Sequence, residues 1–193
     1  MKLIIIAPCL LSPFYVYRGP KGKEYETAKL IRELMGELGG EWHVLAYPCP
    51  EFEVMGWPRA PASREVYERL GMRGRIKGIA EFIGRIIGEE KPAKLIFVGV
   101  KGSPTCGVFH TSSSDPERYP YREMQEFRHM GKEERIERSR MLVEEQGFRL
   151  IKRPGILFEI LMARFSNALY VEFDNDDIEG SMERLKAALE GSI

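Results

Sequence analysis

The sequence predicts an α/β protein: a three-layer sandwich on a mostly parallel central sheet of about five strands, of the flavodoxin or Rossmann kind. Three observations predict it. Short β-branched, apolar runs alternate with longer stretches whose apolar residues recur at helical spacing. The short runs are apolar throughout, as strands covered on both faces are. The order strand, helix, strand implies βαβ units with right-handed crossovers, and such open sheets bind ligands outside the carboxyl ends of their strands.

The elements follow in order. Residues Lys2 to Ala7 read as a buried strand. A helix from Lys23 to Leu38 places Ala28, Ile31, Leu34, Met35 and Leu38 on one face, and Gly39 and Gly40 end it. Trp42 to Tyr47 is a second strand, stopped by Pro48 and Pro50. Residues 51–61 read as a loop, because Gly56, Pro58 and Pro61 resist regular structure. Ser63 caps a short helix to about Leu70, and a longer helix from Arg75 to about Glu90 carries Ile76, Ile79, Phe82, Ile83, Ile86 and Ile87. Lys94 to Val100 is the third strand. Residues 107–130 are irregular and rich in Ser, Pro and Tyr, the pattern of a lid or binding loop. A charged helix from Lys132 to Gln146 precedes a fourth strand, Phe148 to Ile151. Pro154 opens an apolar helix to about Ser166, Leu169 to Phe173 is the fifth strand, and Ile178 to Leu189 closes the chain.

With 193 residues, the chain predicts one domain with its own core. Lys and Arg number 29, as do Asp and Glu, so the balanced charge gives no electrostatic case for a nucleic acid polymer or an anionic membrane. Asn and Gln are scarce beside Lys, Arg and Glu, a bias common in thermophile proteins. The opening MKLIIIAPCLLS resembles a lipoprotein signal in outline, but its apolar run is short and Pro8 precedes the cysteine, so no processed signal is expected. No stretch reaches the ~18 apolar residues of a spanning helix, and a cytoplasmic protein is expected. Three widely spaced cysteines fit reduced thiols better than a disulfide framework.

All three cysteines lie just past a predicted strand: Cys9, Cys49 and Cys106 follow the first, second and third. A parallel sheet puts those loops on one edge, where distant residues can meet. Core filler more often sits within strands or on helix faces. Structural zinc takes four ligands and catalytic zinc usually includes His. A phosphatase loop needs Arg six positions after its cysteine, but Tyr15 stands there after Cys9 and Arg18 comes too late. Three thiolates can hold a cubane iron–sulfur cluster by three corners, leaving one iron open to a soft ligand such as sulfur.

At these residues the sequence resembles the thiouracil desulfurase family. CLLS at 9–12 resembles its Cys-Leu-Leu segment, CPEFEVMGWPRAPASRE at 49–65 its Cys-Pro-Glu segment with a Gly-Pro-Arg-x-Pro-Ala continuation, and SPTCG at 103–107 its Ser-Pro-x-Cys-Gly segment. The likeness covers about residues 1–153, and is one of pattern near LVEEQGFRLIK. It implies a [4Fe–4S] cluster on Cys9, Cys49 and Cys106, with a catalytic acid at Glu51 and a serine, Ser103, before the third cysteine. Ser12 replaces the family's Gly, and VYRGPKG departs from its Arg-Tyr-Asp-Gly element. Residues 1–153 are thus a family-like core, and 154–193 a helix–strand–helix extension expected on the same sheet.

The function expected is desulfidation of a thiolated nucleobase or similar small thiocarbonyl compound by non-redox hydrolysis. In that reading the sulfur binds the open iron and Glu51 acts as general base, while Ser103 binds substrate or relays a proton. Alternatives are a non-catalytic iron–sulfur carrier of electrons or sulfur, and a small-molecule-binding domain with incidental cysteines. His110, four residues past Cys106, would favour the carrier if it closed the fourth iron position. Lys101 is a candidate for anion contact. The run Asp174–Asp177 reads as an acidic helix start rather than a metal site. Tyr15, Tyr17, Trp57, Phe109, Tyr119 and Tyr121 are candidates for stacking on a heterocycle.

Overall fold

The computed structural model describes residues 1–191. Its central sheet has four strands, β1 (Lys2–Ile6), β2 (Trp42–Ala46), β3 (Lys94–Val100) and β6 (Leu169–Phe173). They stand in the order β2-β1-β3-β6, every pair parallel. Ile4 lies opposite Val44 on one side and Ile96 on the other, and Val98 opposite Val171. The two central strands are buried on both faces: Ile4, Ile5, Ile6, Ile96, Phe97 and Val98 have no exposed surface. That explains their unbroken apolar runs.

The connections are helical: α2 (Gly22–Glu37) between β1 and β2, α5 (Met72–Glu90) between β2 and β3, and α8 (Ile178–Glu190) after β6. The chain leaves β1 in one direction to β2 and returns across it to β3. Right-handed crossovers therefore carry α2 and α5 to opposite faces. Thr27, Ala28, Ile31 and Leu34 form the buried stripe of α2, and Ile76, Ile79, Ala80 and Ile83 that of α5. α7 (Ile156–Arg164) packs on α5 and buries Ile156, Leu157, Phe158 and Leu161 completely.

Three expectations need correction. The fourth predicted strand is not in the central sheet: β5 (Arg149–Ile151) pairs antiparallel with β4 (Thr111–Ser113) in a separate ribbon. Its three residues are too few and too exposed to serve as a strand covered on both faces. Residues 51–61 are not all loop, since α3 (Pro50–Met55) occupies their start with Pro50 in the first turn, where a missing N–H costs nothing. The segment 107–130 is not irregular throughout, since it holds β4 and a short helical stretch at Glu123–Arg128, and it is packed on the body. Tyr119 Oη donates to Pro61 O (2.8 Å), Arg128 donates to Met55 O (3.1 Å), and Arg69, on α4 (Arg64–Arg69), pairs with Glu117 (2.7 Å). Among the described residues, no helix is long and apolar enough to cross a membrane.

Candidate active site

The carboxyl edge of the sheet carries a cavity of about 300 Å³. It lies beside β1 and β3, where the strand order reverses, the place an open parallel sheet offers a ligand. Each cysteine arrives on a different loop. Cys9 is in α1 (Pro8–Leu11), which starts as soon as β1 ends. Cys49 immediately precedes α3. Cys106 is in a tight turn in which Val100 N donates to Cys106 O (2.9 Å) and Gly107 N to Ser103 O (3.1 Å). All three line the cavity and none is in a disulfide.

That turn lies against β3 only because residue 99 is glycine: a Cβ there would stand 2.2 Å from Cys106 O. From the far side, the first amides of α7 and its flank hold the same turn. Gly155 N donates to Gly107 O (2.8 Å), Ile156 N to Pro104 O (3.0 Å) and Leu157 N to Thr105 O (3.0 Å). Helix-start donors that would otherwise lack partners thus fix the Cys106 loop. Residues 154–173 support the site while contributing β6 to the sheet.

Glu51 and Ser103 also line the cavity and are hydrogen-bonded to each other. Ser103 Oγ accepts from Cys106 N (2.9 Å) and Thr105 N (3.3 Å), so its one proton is directed to Glu51 Oε1 (3.0 Å). Thr105 Oγ1 donates to the same oxygen (2.8 Å) and lies 3.4 Å from Cys106 Sγ. Glu51 Oε2 accepts from Arg59 Nη2 (2.9 Å). The carboxylate, 9% exposed, thus accepts from three donors, two hydroxyls and a guanidinium.

Sequence reasoning missed Arg59, Thr105 and Tyr47. Arg59, 3% exposed, pairs with Glu51, and its Nη2 is 4.0 Å from Cys49 Sγ. Burial works against its charge, but Tyr67, Glu51 and Cys49 outweigh that and hold it above its ordinary value. Tyr47 Oη donates to Cys106 Sγ (3.2 Å) from a buried position. The available signals were slight: Thr105 lies inside SPTCG and Arg59 inside GWPRAPAS.

The thiols are poor acids without a metal. Burial first, then the charges of Glu51 and Cys49, push Cys106 up to about 12. Burial raises Cys9 too, followed by Cys106 and Cys49. Cys49 is raised by burial and then Glu51, with Arg59 opposing. The sulfurs are thus near enough to influence one another. Yet among the described residues no three His, Cys, Asp or Glu side chains close on a point where one metal ion could sit. Thiols are soft donors, the type an iron–sulfur group takes.

The remaining candidates divide. Tyr15, Tyr17 and Arg18 line the cavity, as does Asn175, which follows β6. Trp57 and Tyr15 line an adjoining surface groove with Phe14 and Phe52. Phe109, Tyr119 and Tyr121 line neither, and the two tyrosines pack edge to face on each other. Lys101 lines the cavity, but its Nζ is paired with Asp174 (2.8 Å). His110 Nδ1 lies 2.6 Å from Glu172 Oε2, and the residue is not in the cavity wall. Asp177 accepts from Gly180 N (3.1 Å) and so caps α8.

A relative from Methanocaldococcus jannaschii, "Uncharacterized protein MJ0003", is 26% identical over 110 residues, 56% of this chain and 69% of the relative. No solved structure matches the chain. The pattern of one protein family matches residues 1–191, and so runs past residue 153 through β6 and α8. The chain therefore belongs to the family described as "Putative 2-thiouracil desulfurase".

Proposed function

We propose that the protein is an iron–sulfur-dependent desulfidase. It would remove sulfur from a thiolated nucleobase or similar small thiocarbonyl compound by hydrolysis, with no net redox change. The observation that carries this reading is the meeting of Cys9, Cys49, Cys106, Glu51 and Ser103 around one cavity from separate parts of the chain.

Cys9, Cys49 and Cys106 would hold a [4Fe–4S] cluster, which supplies an iron without a protein ligand, a soft Lewis acid for a thiocarbonyl sulfur. The chain's own residues supply the rest. Glu51 takes a proton from water as the water oxygen bonds to the thiocarbonyl carbon. The carbon–sulfur bond then breaks, and the proton returned by Glu51 leaves with the sulfur. One thiocarbonyl group and one water become one carbonyl group and one hydrogen sulfide, so atoms and electrons balance. Ser103 and Thr105 hold Oε1, and Arg59 keeps positive charge beside the carboxylate. Leu10, Ala60, Pro61 and Ala62 supply apolar wall that limits water around the reacting groups.

The test is sulfide release from 2-thiouracil and 4-thiouracil by anaerobically reconstituted protein, with iron and acid-labile sulfide assayed alongside. The parent is expected to hold about four irons per chain, and Cys9→Ala, Cys49→Ala and Cys106→Ala each to lose them. Glu51→Gln is expected to keep its iron and lose roughly a hundredfold or more in kcat. An iron-loaded Glu51→Gln with parental turnover removes Glu51 from the chemistry. Equal iron in the parent and all three cysteine variants removes the shared site.

A further inference from the structure

Each oxygen of a carboxylate offers two acceptor positions. On Glu51, Oε1 fills both of its positions, with the hydroxyls of Ser103 and Thr105. Oε2 fills one, with Arg59 Nη2. The remaining position is on Oε2, beside the guanidinium. Arg59 therefore determines which lone pair of the carboxylate is left for a proton.

Arg59 also reaches a second segment of the cavity lining. Its Nη1 donates to Tyr15 O (3.2 Å) and its backbone N to Tyr17 O (2.9 Å). Two residues earlier, Trp57 Nε1 donates to Val16 O (3.1 Å). Three successive carbonyls of the rim carrying Tyr15, Tyr17 and Arg18 are thus held by residues 57–59, and one side chain joins that rim to Glu51. We infer that Arg59 is a positioning residue for the proposed reaction. It leaves Oε2 open to water and fixes the substrate-facing rim at 15–18 in register with the carboxylate. This inference rests on the desulfidase reading for its kinetic consequence, and on the geometry alone for its structural one.

The two tasks separate by substitution. A lysine can replace the single contact to Glu51 but lacks the second branch needed to hold Tyr15 O as well. Arg59→Met is expected to lose about a hundredfold in kcat and to raise KM about tenfold. Arg59→Lys is expected to recover kcat to within about tenfold of the parent while KM stays raised about tenfold. In metal-free protein, amide exchange over residues 13–19 is expected to quicken about tenfold in both variants. If Arg59→Met does not fold, Arg59→Lys decides the matter by the same readouts. Parental KM together with parental exchange over 13–19 in Arg59→Lys overturns the inference. So does an Arg59→Lys whose kcat falls as far as that of Arg59→Met. A parent that releases no sulfide from either thiouracil defeats the desulfidase reading, and the exchange measurement still decides whether Arg59 holds the rim.

Discussion

Cys106 Sγ accepts from Tyr47 Oη at 3.2 Å, and Thr105 Oγ1, whose one proton goes to Glu51, lies 3.4 Å away. Groups behind a metal ligand fix its orientation, and their loss commonly weakens metal binding tenfold or more. Tyr47→Phe is expected to keep the fold and to surrender iron to a chelator about tenfold faster than the parent. Unchanged iron retention means that the hydroxyl only satisfies its own burial. The three cysteines were legible in the sequence because each follows an apolar run, and a parallel sheet gathers the ends of such runs. Tyr47 and Arg59 were not legible. A buried tyrosine at a strand's end and an arginine in a proline-rich turn have ordinary local explanations. Their roles exist only through partners such as Cys106, 59 residues from Tyr47.

The Cys106 loop is clamped between β3 and the start of α7, and glycine makes both approaches possible. At Gly155 a Cβ would meet Thr105 C at 2.6 Å and Gly107 N at 2.8 Å, both backbone atoms that can move only with the loop. Gly155→Val is therefore expected to displace the loop and cost roughly 2 kcal/mol or more of stability, by the ordinary cost of overpacking. Thermal unfolding of metal-free protein measures the stability loss, and a reconstitution assay is expected to show less iron. Strands β1, β3 and β6 and helices α2, α5 and α8 were readable because their burial follows local pattern, and β2 was readable as an apolar run although none of its residues is buried. β5 was readable as extended chain but not in its pairing, because the choice between a central sheet and a side ribbon is made by tertiary contact. α3 was hidden by its flanking glycine and prolines, which mark turns as readily as the ends of a six-residue helix.

Across the whole molecule, Arg64 joins helices that are far apart in sequence. With no exposed surface, it donates to Pro154 O and pairs with Glu68 on α4 and Glu159 on α7. Arg64→Met leaves those acceptors short of a donor and is expected to cost about 3 kcal/mol, read from denaturant unfolding. Burial disfavours the charge on Glu159, but Arg73 and Arg64 outweigh it and hold its carboxyl below the ordinary value. Asp174 is likewise lowered: burial opposes ionisation, and Lys101 and the amide of Asp176 prevail. A folded pKa below the unfolded one adds stability that is present above the unfolded value and lost as pH falls through the folded one. Thermal stability is thus expected to decline below about pH 4, the unfolded carboxylate range. Glu159→Gln should start lower at neutral pH and lose less over the acid range. A steeper acid loss in that variant contradicts this assignment.

The charged side chains lining the cavity all have partners of opposite sign: Arg18 with Glu24, Arg59 with Glu51, and Lys101 with Asp174. The whole chain is equally balanced, with a formal net charge of zero. A mouth of this kind casts little field into solvent, so an approaching molecule is neither drawn in nor turned away by long-range attraction. Arrival then depends on diffusion and fit. The second-order rate for an anionic thiocarbonyl compound is accordingly expected to change less than about twofold between low and high salt, since screening has little to remove. A steep salt dependence would mean that charge guides the encounter after all.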